Sequence, residues 1–215
     1  FFFFFLFFFS FFSSFALRLS EAGANFGQAV AVAVDAQGRT VAAVGANHDD
    51  ALRGSVLVYV DQAAPVGVPV PTANGSYFGS AVALASSGLL AVGAPWARNG
   101  DGAVALYQDM TLVVQIAAPA PGGNFGISLH FGSPRLLLAA AWMADRGVVY
   151  AFDVSKPAAP ALVGALPAPV SAQPHAFFGS ALAMNSSTLI VGADGDAGDQ
   201  GAAYLFDAKD WGRAE

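Results

Sequence analysis

The residues able to do chemistry in this chain are few, and the sequence places them in loops. Carboxylates cluster once, at Asp194-Gly-Asp196-Ala-Gly-Asp199. Closely spaced Asp with Gly turns can wrap a hard cation such as Ca2+, but this spacing matches no standard calcium loop, and the same residue types build solvated surface turns. Trp96, Arg98, Trp142 and Arg146 are of the types enriched at binding hot spots. They are candidates for a ligand-binding face, set against the plainer reading of loop residues that pack on rims. Three histidines, His48, His130 and His175, stand at unrelated places, and His48-Asp49-Asp50 reads equally well as a solvated loop. The chain has no G-x-S-x-G elbow, no H-E-x-x-H, no phosphate-binding glycine loop and no cysteine. No catalytic residue is assigned, and the expectation is a protein that is not an enzyme.

The elements that must hold those loops repeat. Phe-Gly occurs at Phe26-Gly27, Phe78-Gly79, Phe125-Gly126 and Phe178-Gly179, at spacings of 52, 47 and 53 residues. Each pair leads into a short strand (QAVAVAV, SAVALAS, ISLHFGS, SALAMNS), then a second (TVAAVGAN, LLAVGAP, RLLLAAAW, TLIVGAD), then a third (GSVLVYV, GAVALYQ, GVVYAFD, GAAYLFD). Small, β-branched and aromatic residues punctuated by Gly, Ser and Asn are strand and turn signals. A self-similar unit of about 40–50 residues with four strands suits one blade of a propeller.

The third strands align most closely. Gly54, Gly102, Gly147 and Gly201 open them, and Tyr59, Tyr107, Phe152 and Phe206 follow five residues later. One aromatic per unit at a fixed offset is expected to pack between blades, filling the gap that widens away from the axis. The Ala-rich first strands fit the narrow end of that taper. Fourth strands are weaker: VGVPV at 66–70, TLVVQIA at 111–117 and ALVGALP at 161–167, with prolines that suit an outer edge.

These units resemble FG-GAP repeats, which build the N-terminal β-propeller of integrin α subunits and occur in many secreted proteins of microbes and algae. The resemblance covers residues 26–207 and implies an all-β fold: a β-propeller of four FG-GAP-type blades, each a four-stranded antiparallel sheet, complete or partial. Only the second unit has the full Gly93-Ala94-Pro95; the others read Ala46-Asn47, Ala140-Ala141-Trp142 and Ala193-Asp194. Several repeats of the family bind calcium between their first two strands. The corresponding hairpins here, at 34–40, 85–89, 131–135 and 185–188, are too poor in carboxylates, so those sites are not carried over. In integrins the face holding the second-to-third-strand loops recognises ligands, and that face holds Trp96, Arg98, Trp142 and Arg146 here.

Composition narrows the partners. Fifteen acidic residues against nine Lys and Arg give a formal charge of −6, and the bases are scattered. Nucleic acid and anionic membranes need clustered cations, so neither is expected as a partner. Eleven of the 19 phenylalanines fall in residues 1–15. Residues 1–16 read as a signal-peptide hydrophobic region with a cleavage site after Ala16, as the remnant of a membrane anchor, or as low-complexity sequence. Residues 17–215 form the propeller. FALRLSE, ahead of the first Phe-Gly, could complete the last blade and close a ring; the alternative is a slice of a longer propeller. With sequons at Asn74-Gly-Ser and Asn185-Ser-Ser, the expectation is a secreted or cell-surface binding or adhesion module for a protein or glycan, with no cofactor. The alternative is a structural segment of a larger secreted protein or enzyme.

Overall fold

A computed structural model describes residues 23–61 and 63–208. The poly-Phe segment, the cleavage site after Ala16, FALRLSE and the final KDWGRAE lie outside the described residues. The described chain is all-β: four antiparallel sheets follow one another as the blades of a four-bladed β-propeller. Blade 1 holds β1 (Phe26–Val34), β2 (Thr40–Ala46), β3 (Ser55–Val60) and β4 (Val66–Gly67). Blade 2 holds β5 (Ala81–Leu84), β6 (Leu89–Ala94), β7 (Ala103–Gln108) and β8 (Thr111–Ala117). Blade 3 holds β9 (Leu129–Ser133), β10 (Leu136–Ala141), β11 (Val148–Asp153) and β12 (Ala161–Pro167). Blade 4 holds β13 (Phe178–Met184), β14 (Thr188–Ala193) and β15 (Ala202–Asp207), three strands among the described residues where four were expected.

The register repeats from blade to blade. Ala46 pairs Ser55, Ala94 pairs Ala103, Ala141 pairs Val148 and Ala193 pairs Ala202. The fourth strands at 111–117 and 161–167 form over the expected residues. The first blade's is cut to Val66–Gly67, because Pro69 and Pro71 in VGVPVP cannot donate to a ladder.

The Phe-Gly pair is the joint between blades. The residue before each Phe and the Gly after it are both left-handed: Asn25 and Gly27, Tyr77 and Gly79, Asn124 and Gly126, Phe177 and Gly179. This double bend turns the Phe side chain toward the preceding blade. Phe78, Phe125 and Phe178 are fully buried, each worth about 1.5–3 kcal/mol of hydrophobic burial. Their backbone N–H groups donate across the joint to Arg53, Asp101 and Arg146 carbonyls, each at 3.0 Å. The glycines that open the third strands exist for this approach. A Cβ on Gly54 would stand 1.9 Å from the Phe78 carbonyl oxygen, and one on Gly102 2.2 Å from that of Phe125.

Three hydrophobic cores result, one per joint. Tyr107 lies in the core between blades 1 and 2, Phe152 in that between blades 2 and 3, and Phe206 packs on that between blades 3 and 4. Each ring meets the motif Phe of its own blade, at 6.4, 5.9 and 6.0 Å. The Tyr107 hydroxyl donates to the Pro69 carbonyl, and burial pushes its phenol pKa up. Tyr59 departs from the expectation. It is half-buried on blade 1, which among the described residues has no preceding blade to fill against.

Candidate functional site

The loops before each Phe-Gly and the loops between second and third strands meet at one end of the propeller. The loop N–H groups of His48, Trp96, Met143 and Gly195 donate to the carbonyls of Ala24, Ser76, Gly123 and Ala176. That repeated bond ties the two loop sets together in every blade. In the middle of this end lies an open cup of about 430 Å³. Blade 1 contributes Gln28, Asn47 and His48; blade 2 contributes Tyr77, Ser80 and Trp96; Trp142 comes from blade 3 and Ser180 from blade 4.

Its walls are aromatic. His48 meets Tyr77 edge-on at 5.3 Å, and Tyr77 meets Trp96 at 6.1 Å. Across the cup Trp142 packs on Phe177 at 5.2 Å, with His175 behind at 6.5 Å. Trp96 remains half-exposed. The floor is polar. Asn47 is buried, and its Nδ2 donates to Ser80 Oγ at 3.2 Å, while Ser80 Oγ donates to the Tyr77 carbonyl at 2.7 Å. Asn47 Oδ1 is buried with no hydrogen-bond partner. A buried acceptor left unpaired costs about 1–3 kcal/mol, which a donor arriving in the cup would recover.

The structure divides the four residues expected on the ligand-binding face. Trp96 and Trp142 come together in the cup. Arg98 does not: it lines a separate depression beside the connector at Pro71–Ser76. Arg146 does not line the cup either. Its Nη1 donates to the Val170 carbonyl at 3.4 Å, pinning the connector into blade 4. Arg53 does the same one joint earlier, donating through Nε to Thr72 (3.1 Å) and Nη2 to Val70 (3.3 Å) carbonyls. A guanidinium just before the strand-opening glycine reaches the next connector, so both arginines are fasteners. The cup residues that sequence reasoning passed over are Asn47, Tyr77 and Ser80. Their signal is positional, since they flank Phe-Gly or end the second strand.

The carboxylate loop does not converge on a cation. Asp194 and Asp199 point to solvent, whereas Asp196 is buried. The Asp196 carboxylate accepts the Tyr204 hydroxyl and the backbone N–H groups of Gln173 (3.0 Å) and Ala197 (2.8 Å). The Tyr204 bond, with those backbone donors, holds its pKa below the ordinary carboxylate value. The loop is thus closed on a side chain of its own blade. Among the described residues no group of three His, Asp or Glu is arranged to hold a metal. His130 is a strut, its Nε2 accepting the Met184 N–H at 3.1 Å across the joint between blades 3 and 4.

Repeated sheets, a shared register and one loop-lined end define a β-propeller repeat protein. Residues 169–206 match the model of the FG-GAP repeat family, so the last blade, with the connector into it, is similar to an FG-GAP repeat. The three blades before it repeat its strand order and its Phe-Gly joint. No curated protein matches the chain.

Proposed function

We propose that this chain is a non-catalytic binding module of the FG-GAP propeller type, and that it takes a protein or glycan ligand in the cup on its loop face. The observation that carries this reading is the pairing of Trp96, Trp142 and Tyr77 walls with the unsatisfied Asn47 Oδ1. Flat rings flanking a few polar groups suit a sugar, whose C–H faces stack and whose hydroxyls supply donors. The volume lies within the range of small-ligand sites. The cup lining contains no carboxylate, so it offers no pair of carboxyl groups of the kind glycoside hydrolysis uses, and binding without turnover fits it better. Asn74 and Asn185 of the two sequons are exposed, in keeping with a secreted or cell-surface setting.

The test is a printed array of neutral and acidic glycans probed with the chain and with a Trp96→Ala/Trp142→Ala double variant. Binding by the parent and a loss of about 30-fold or more in the variant, at unchanged circular dichroism, is the expected result. If the double variant unfolds, the rings belong to the core and the binding face lies elsewhere. A second reading, a structural segment of a larger secreted protein or enzyme, draws on the exposed apolar residues of the first and last blades.

A further inference from the structure

We propose that the outer faces of blades 1 and 4 dock on each other between two copies of this chain, head to tail, making an eight-bladed ring. Among the described residues, the joint seen three times is left half-made on blade 1 and on blade 4. On blade 1, Val30 is 70% exposed, although its counterpart Val82 in blade 2 is 8% exposed against the preceding sheet, and Val32 is likewise 70% exposed where its counterpart Leu84 is half-buried. On blade 4, Leu205 is 68% exposed, whereas its counterpart Leu106 in blade 2 is fully buried beneath the following sheet.

The backbone repeats the message. Gly54, Gly102 and Gly147 each have the next blade's Phe carbonyl within 2.2 Å of where a Cβ would stand. Gly201 is their equivalent, and its nearest neighbours are atoms of its own blade at 3.6 Å or more. At the other end Gly27 has nothing within 4 Å, and Phe26 is only half-buried where the other motif phenylalanines are buried. Blade 4 therefore presents the glycine seat, and blade 1 presents the Phe-Gly plug.

A plug and a seat are complementary to each other and not to themselves, so the contact is heterologous. Such contacts close a ring when the rotation fits. Two four-bladed copies give eight blades, within the range that propellers adopt. The buried faces would be apolar on both sides, which supplies the driving force.

Sedimentation velocity and light scattering on the 215-residue chain over a concentration series test the proposal, with Val32→Glu and Leu205→Glu as variants. The parent is expected at twice its 21.9 kDa mass. Each variant alone should dissociate at concentrations at least 100-fold higher than the parent, with unchanged circular dichroism. An equimolar mixture of the two restores one intact joint, and should associate at least tenfold more tightly than either variant with itself. Should either variant fail to fold, Val30→Lys and Ile190→Lys replace them. A parent that stays monomeric throughout overturns the proposal, and assigns the faces to the chain's own terminal residues or to another partner. So does association that survives both substitutions, or a mixture that shows no rescue. A mass that rises without limit overturns the closed ring.

Discussion

Tyr77 and Phe177 occupy left-handed backbone positions, at φ 55° and 53°, where the other two units place Asn25 and Asn124. Asn tolerates that conformation, and a bulky aromatic does so at a cost on the order of 1 kcal/mol. Both rings stand at the cup, Tyr77 in its wall and Phe177 behind Trp142. Strain held at a ligand-facing rim agrees with the binding reading. Asp196 plays a different part, tying the last loop to Tyr204 and to the connector at Gln173. Its pKa is lowered by folding, so the unfolded chain binds more protons. Its contribution to stability is therefore complete above the unfolded Asp value of about 3.9 and is lost as pH falls through the folded value. Acid titration of the thermal midpoint should show a steeper fall below about pH 4 in the parent than in Asp196→Asn. Parallel curves would remove the carboxylate from the loop's support.

Within a blade, two residue types do the joining, one very small and one large. The small one is the third-strand glycine, whose missing Cβ lets the next blade's Phe-Gly backbone approach. The large one is the aromatic five residues later, which meets the motif Phe where the sheets diverge. Phe152 is buried in the core between blades 2 and 3. Phe152→Ala is therefore expected to cost about 3–5 kcal/mol, with Phe206→Ala, half-buried in the last blade, costing less. Chemical denaturation measures both. A loss below about 1 kcal/mol for Phe152→Ala would mean that the ring fills no gap. The fixed offset of these aromatics was plain in the sequence, and so was the Phe-Gly period. The role of the motif Phe as the buried plug was not, because a Phe before a Gly reads locally as a turn flank. Only the left-handed pair around it turns the ring into the neighbouring sheet.

Across the whole molecule, stability is a sum over joints. Among the described residues, blades 2 and 3 are each packed on both faces, whereas blades 1 and 4 are packed on one. In a linear array each unit draws on its own fold and on its nearest neighbours. Native-state hydrogen exchange should accordingly be slowest in β6, β7, β10 and β11, and faster in β1 and β15. Equal protection in β15 and β7 at concentrations where the chain is monomeric would contradict the joint-by-joint account. Among the described residues no helix is long and apolar enough to cross a membrane.

The sequence by itself determined the all-β class, the four units, their order and the aromatics that fill the joints. Those features are written in local periodicity and in spacing, which survive without tertiary information. It also brought forward Trp96 and Trp142, because Trp is enriched at binding hot spots and their loops could be aligned. Only the tertiary structure decided that Arg146 clamps a connector, that Asp196 closes on Tyr204, and that Asn47, Tyr77 and Ser80 join the tryptophans in one cup. These residues lie tens of positions apart and meet only because successive blades turn about a common axis. A side chain's role there depends on which neighbour the turn delivers, and no local pattern encodes that.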